Sequence, residues 1–254
     1  MKRLLAAAML VVLGGCGAEV VSLSRGPRPY TESDYDDVYE RWTREDESFS
    51  WATMSDVLRV SATFESWEFR WAYVVRYCHD HSMDVTERDA MLRATLADSE
   101  QTHRFVVSMQ GERFRESDIT GRLSAWRVIL VDDSGRQAVP VEVQRLRRPT
   151  AAQLVYFPHI NPQRVAFRIA FPTTREDGSP TIPPDSQSVR LRFTGPRGRV
   201  DLVWQVRDVE AGTAGGEESS GGESPAEDRA EPAPSESPGS SAPLEVTPSD
   251  AEGL

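Results

Sequence analysis

From His103 to Val206 the chain alternates apolar and polar residues at every second position, and this period constrains the fold more than any other feature. Successive side chains of an extended strand point to opposite faces, so such alternation marks a strand with one buried face. Phe105, Val107 and Met109 make one run. Trp126, Val128 and Leu130 make another, with Ile129 and Val131 apolar on the other face, as in a strand covered on both sides. Val139, Val141 and Val143 alternate with Pro140, Glu142 and Gln144, and Leu154 to Phe157 reads as a short strand. Val165, Phe167, Ile169 and Phe171 follow, then Val189, Leu191 and Phe193, then Val200, Leu202, Trp204 and Val206. Asp132-Asp133-Ser134-Gly135, Asp177-Gly178-Ser179-Pro180 and Gly195-Pro196-Arg197-Gly198 are turn clusters between runs. Short strands at this spacing predict a two-sheet sandwich, with a barrel as the alternative.

The part before His103 has a different period. Tyr35, Val38, Tyr39 and Trp42 form a helix-period stripe in Thr31 to Arg44, with Glu32, Asp34, Asp36 and Asp37 near the positive end of that helix. Leu58, Val60, Ala62 and Phe64 alternate as a strand. A helix is expected from Ser66 to about His81, with Trp67, Trp71, Val74 and Cys78 on one side and Phe69, Tyr73 and Tyr77 roughly opposite. A helix apolar on two sides is sandwiched between other elements. A second helix begins near Asp84, with Thr86 and Asp89 at capping-box spacing. The predicted fold is mainly β: an immunoglobulin-like antiparallel β-sandwich with an inserted αα-hairpin and an N-terminal helix. The Cys-Trp-Cys spacing of true immunoglobulin domains is absent, so this expectation rests on periodicity.

The N-terminus sets the compartment. Lys2 and Arg3 precede ten apolar residues, Leu4 to Leu13, and then Gly14-Gly15-Cys16. Ten residues are too few to cross a bilayer, which takes about 20 in a helix. The positive start, the short apolar run and the small residues before the cut form a secretory signal. Leu13-Gly14-Gly15-Cys16 resembles the lipobox of bacterial lipoproteins, although Gly14 stands where that family more often has Ala, Ser, Thr or Val. The resemblance implies removal of residues 1–15, lipidation of Cys16 and anchoring to the membrane through that lipid. Gly17 is not the Asp that marks inner-membrane retention in enteric bacteria, so the resemblance favours the outer membrane. The whole pattern is similar to that of uncharacterised lipoproteins of GC-rich Gram-negative bacteria. Residues 16–29 read as a lipidated tether, 30–208 as a single folded domain and 209–254 as an acidic low-complexity tail. That tail has almost no large apolar residues and is expected to be disordered.

Residues 17–208 carry 26 Arg and 29 acidic residues, whereas residues 209–254 carry one Arg and 11 acidic residues. A near-neutral body with an acidic tail has no electrostatic footprint for nucleic acid. With Cys16 lipidated, Cys78 has no intramolecular disulfide partner and is expected to be buried as a small hydrophobe. Cys78-His79-Asp80-His81 with His103 is the nearest approach to a metal set, but adjacent helical positions do not share a face. No metal or cofactor is expected. Nucleophile-elbow, zinc-protease and phosphate-loop motifs are absent, so the expected function is non-enzymatic. The first reading is a protein-interaction or envelope-assembly module with an envelope protein partner. The alternative is a small-ligand or glycan-binding module with Trp67, Trp71 and Tyr77 as its binding residues, and a hydrolase is third.

Overall fold

The structure is a computed structural model that describes residues 19–50, 54–113, 117–121 and 123–207. The stretch read as a signal peptide, Cys16 and the acidic tail lie outside the described residues. In chain order the elements are β1 (Val20–Val21), a 3-10 turn (Glu32–Asp34), α1 (Tyr35–Trp42), β2 (Thr43–Ser50) and β3 (Ser55–Phe64). Then come α2 (Trp67–Asp80), α3 (Val85–Gln101), β4 (Thr102–Gly111), β5 (Arg127–Asp132), β6 (Gln137–Ala138) and β7 (Glu142–Leu146). The series ends with α4 (Ala151–Tyr156), β8 (Val165–Pro172), β9 (Ser188–Gly195) and β10 (Gly198–Val206).

Among the described residues these strands form two five-stranded sheets, β1-β10-β9-β5-β6 and β2-β3-β4-β8-β7. Pairing is antiparallel except where β1 runs parallel to β10. The period-two runs place Leu58, Val60, Phe64, Phe105, Val107, Met109, Phe167 and Phe171 in one core with Leu191, Phe193, Leu202 and Trp204 of the other sheet. The Trp204 ring lies 5.5 Å from Phe105 and 6.0 Å from Phe64, so the two sheets meet through aromatic contacts.

The opposite residues of β3, β4 and β8 include the polar Ser61, Thr63, Ser108 and Arg168 beside Val106, Ala166 and Ala170. Ser61, Thr63 and Ser108 are buried, because the segment after α4 covers them through His159 and Arg164, while α2 and α3 lie over Arg104 and Arg168. Buried polar groups need partners. His159 supplies two, with Nε2 3.1 Å from Thr63 Oγ1 and Nδ1 3.1 Å from Ser108 Oγ.

Several expectations are corrected. The Thr31–Arg44 helix stops at Trp42, and Thr43 begins β2, a strand that periodicity does not reveal in Thr-Arg-Glu-Asp-Glu-Ser-Phe-Ser. β2 ends the hydrogen-bonded order of its sheet, and its far side meets β10: Arg44 Nε donates to the Val203 carbonyl at 3.1 Å and the Asp201 N–H donates to Asp46 Oδ2 at 3.3 Å. The Leu154–Phe157 strand is instead the helix α4: Thr150 and Gln153 form a reciprocal capping box, and Leu154 and Val155 are exposed. Val139, Val141 and Val143 do not share one strand. Pro140 has no N–H for a ladder, and the chain passes here from β6 in one sheet to β7 in the other, leaving Val139 and Val141 exposed. The helical hairpin does follow the Leu58–Phe64 run, which is β3 because β1 and β2 precede it. Asp84 with Glu87, not Thr86 with Asp89, caps α3. Val20–Val21 lies within the stretch read as a tether but pairs with β10, and Val21 is buried. Cys78 is buried and free.

At Gly195, where β9 turns into β10, an added Cβ would lie 2.1 Å from the carbonyl oxygen of Ala125. Gly195→Ala is therefore expected to destabilise the body by about 1–3 kcal/mol, the range for overpacking, read as a lower urea midpoint with unchanged slope.

Candidate functional site: an arginine-lined cavity under the helical hairpin

The aromatic residues singled out from sequence do not converge. Trp67 Nε1 donates to the Gly26 carbonyl at 2.8 Å, and the Arg25 guanidinium carbon is 6.0 Å from its ring centroid. Trp67 thus holds residues 25–26 against α2, beside a cavity of about 240 Å³ that also meets His103. Trp71 is half-buried and lines neither cavity described here. Tyr77 stacks on His81 with ring centroids 3.9 Å apart and lies 5.8 Å from both Tyr73 and Tyr156. It belongs to an i, i+4 ladder, Phe69-Tyr73-Tyr77, on the face of α2 opposite Trp67 and Trp71.

A cavity of about 360 Å³ opens between α2, α3 and the outer face of β4 and β8. Arg70 of α2, Arg104 of β4 and Arg168 of β8 line it with Glu65 and Asp98. Arg70 comes from the helix apolar on two sides, so its charge has little route to solvent and its side chain is 5% exposed. Its Nε donates to the Glu65 carbonyl at 2.8 Å, and Nη1 donates to the Thr95 carbonyl at 2.8 Å and to Asp98 Oδ2 at 2.7 Å. These bonds fasten α2 to α3. Asp98 is shared with Arg104 Nη2 at 2.7 Å. Glu65 lies between the other two arginines, 3.8 Å from Arg70 Nη2 and 3.4 Å from Arg168 Nη2.

Arg70 Nη2 and Arg168 Nε are buried and have no hydrogen-bond partner among the described residues. Buried donors of this kind are uncommon and costly. The rest of the wall is apolar or aromatic, chiefly Phe69, Tyr73, Met91 and Phe157. Burial, with the charges of Tyr77 and Glu65 adding to it, raises Tyr73 to about 12, so this phenol stays neutral. A cavity of 300–1,000 Å³ with apolar walls and a few convergent polar groups is the usual form of a small-molecule site.

Both carboxylates of the cavity face arginines, and no Ser or Cys among its lining residues stands beside a base. The Ser108–His159 pair lies elsewhere on the same sheet. Ser108 is fully buried, and both imidazole nitrogens are occupied by hydroxyls. His79 and His81 are exposed, and Asp80 instead accepts from Arg76 Nε at 2.8 Å and from the Tyr156 hydroxyl at 2.9 Å. Among the described residues no group of three or more His, Cys, Asp or Glu side chains could hold a metal ion, and no helix is long and apolar enough to cross a membrane.

Sequence reasoning missed Arg70, Arg104 and Arg168. A partial signal was present: Arg168 is a lone charge inside the apolar run Ala166-Phe167-Arg168-Ile169, whereas Arg70 shares Trp67-Glu68-Phe69-Arg70-Trp71 with Glu68 and Arg104 stands between His103 and Phe105-Val106. Convergence of the three depends on which strands pair and where the hairpin packs.

No protein-family model matches the chain, and no curated protein matches it. A crystal structure of a protein of unknown function from Burkholderia pseudomallei is similar at 12% identity and a TM-score of 0.32, over 68% of this chain and 89% of that one.

Proposed function

We propose that this chain is a lipid-anchored, non-enzymatic envelope protein whose body binds a small ligand in the cavity between the helical hairpin and the second sheet. The observation that carries the proposal is the pair of buried guanidinium nitrogens, Arg70 Nη2 and Arg168 Nε, that have no hydrogen-bond partner among the described residues, on arginines that line a cavity with Phe69, Tyr73, Met91 and Phe157. The anchor is the lipid on Cys16 implied by Leu13-Gly14-Gly15-Cys16, and the outer membrane is its location. Val20 in β1 is the fourth residue after Cys16, so the extended chain spans at most about 14 Å and the body is held close to the bilayer. The body is an immunoglobulin-like sandwich. This is supported by the orders β3-β4-β8-β7 and β5-β9-β10, which match the A-B-E-D and C-F-G sheets of that fold.

A second reading, an envelope-assembly module contacting a protein partner, is favoured by β7. That strand is an open sheet edge beside a groove of about 290 Å³ lined by Leu146, Arg147 and the exposed Leu154.

Native mass spectrometry of the lipoprotein released from its envelope in mild detergent tests the ligand reading. A small-molecule adduct is expected, and it should be lost in Ala94→Trp, which puts a large ring at the exposed α3 rim of the cavity. A bare mass in both proteins overturns the proposal. A protein partner that survives Ala94→Trp but is lost on mutating β7 favours the second reading instead.

A further inference from the structure

We infer that the ligand of this cavity is a small organic monoanion, a carboxylate on an apolar body of about a dozen heavy atoms. The inference rests on the ligand-binding reading above. Three observations give the class.

The first is charge. Arg70, Arg104 and Arg168 stand against Glu65 and Asp98, which leaves the lining with one uncompensated positive charge. Arg70 is buried and Arg104 and Arg168 are partly buried, so a monoanion balances the excess charge while a dianion would overshoot. The second is the donor set. Arg70 Nη2, an NH2 group, and Arg168 Nε, an N–H group, belong to different guanidiniums, both buried and both without a hydrogen-bond partner among the described residues. A carboxylate has two acceptor oxygens, one for each donor, in charge-assisted bonds. Glu65 hydrogen-bonds neither donor: its nearest oxygen is 3.8 Å from Arg70 Nη2, an ion-pair distance, and its contact with Arg168 is to Nη2 at 3.4 Å and not to Nε.

The third observation is the remaining wall. Phe69, Tyr73, Met91 and Phe157 present rings and a thioether, which favour an apolar body and give a free inorganic anion nothing to pack against. The cavity of about 360 Å³ corresponds to about a dozen water volumes at roughly 30 Å³ each, which sets the ligand's size. A long-chain lipid is too large for it, and a glycan would leave the apolar wall uncovered.

Titration calorimetry on the full mature lipoprotein in detergent, with three probes, tests the class: 4-phenylbutyrate, its neutral primary amide, and inorganic phosphate. The acid should bind at least tenfold more tightly than the amide, and phosphate should neither bind comparably nor displace it. Arg168→Gln is the variant of choice, because Arg168 is half-buried on β8 whereas Arg70 joins α2 to α3 and its loss can prevent folding. It should weaken the acid by roughly tenfold or more and leave the amide unchanged, as loss of one charge-assisted bond requires.

Equal affinity for acid and amide overturns the oxyanion class while leaving the ligand-binding reading intact. Phosphate binding as tightly as the acid overturns the apolar body. If none of the probes binds while the native protein still carries an adduct sensitive to Ala94→Trp, the class is wrong and the site is real. If that adduct is also missing, the reading beneath the inference fails with it.

Discussion

Trp42→Ala is expected to lower the stability of the body by more than 4 kcal/mol, enough to leave much of it unfolded, since domains of this size are stable by only about 5–15 kcal/mol. Trp42 is fully buried, with its ring 5.5 Å from Phe64 in an edge-to-face contact. Truncating a core tryptophan costs about 3–5 kcal/mol through lost transfer energy and the cavity left behind. A second cost is polar. Trp42 Nε1 donates to Glu68 Oε2 at 2.9 Å, and Glu68 is buried on α2 with Arg41 Nη1 at 2.7 Å from its other oxygen and the Tyr30 hydroxyl also donating to it. Removing one of three donors from a buried carboxylate adds about 1–3 kcal/mol.

Trp42→Phe separates the two costs. It keeps most of the ring and loses the N–H, so a drop of about 1–3 kcal/mol is expected from the polar contribution alone. Urea unfolding followed by circular dichroism measures both variants. A Trp42→Ala loss below about 2 kcal/mol would mean that the site collapses to fill the void.

The body is expected to lose several kcal/mol of stability between pH 6.5 and pH 4, through two histidines that fold neutral. His159 is pushed down to about 4 by burial first and the Arg164 charge second, with Glu45 opposing them. His103 is pushed down to about 4 by burial first, then by the charges of Arg25 and Arg70. In the unfolded chain both have the ordinary value near 6.5. Between those limits the unfolded chain binds more protons than the folded one, so stability rises with pH. The contribution is complete above about 6.5 and is lost as the pH falls toward 4, at a cost on the order of 3 kcal/mol per histidine.

The geometry explains why protonation is resisted at His159. Each ring nitrogen faces a hydroxyl, and one of those hydroxyls can donate only while its nitrogen is unprotonated. Urea midpoints at pH 7.5 and pH 4.5 measure the loss. His159→Gln, which cannot charge, should be less stable at pH 7.5 yet lose distinctly less on acidification. An equal loss in the variant and the parent would assign the acid sensitivity to other groups, such as the carboxylate of Asp132 held low by Ser134, Arg175 and Arg136.

The fold was legible wherever one face of an element meets the core and the other does not. β3, β4, β8, β9 and β10 follow their period-two runs, and α2 follows its aromatic pattern, because burial sorts side chains by face. The signal failed where burial does not do the sorting. β2 is a charged edge strand, α4 is a single short helix with an exposed apolar pair, and the Val139–Val143 run contains a passage between sheets at Pro140.

The candidate site was legible least of all. Trp67, Trp71 and Tyr77 drew notice as large aromatics, but four-residue spacing puts Tyr77 in a stacked ladder with Tyr73 and away from the two tryptophans. The aromatic residues of the cavity, Phe69, Tyr73 and Phe157, had been assigned to core and strand.

The sequence by itself determined the mainly β class, the two-helix hairpin and the likeness of the N-terminal segment to a lipoprotein signal, because each depends on periodicity or composition within a short stretch of chain. Tertiary structure alone decided that Arg70, Arg104 and Arg168 meet Glu65 and Asp98 in one cavity. Their convergence depends on β4 pairing with β8 and on α2 and α3 packing over that pair, and no local pattern encodes contacts between residues as far apart as Arg70 and Arg168. The same packing buried the outer strand face, and so left Arg70 Nη2 and Arg168 Nε without a hydrogen-bond partner among the described residues.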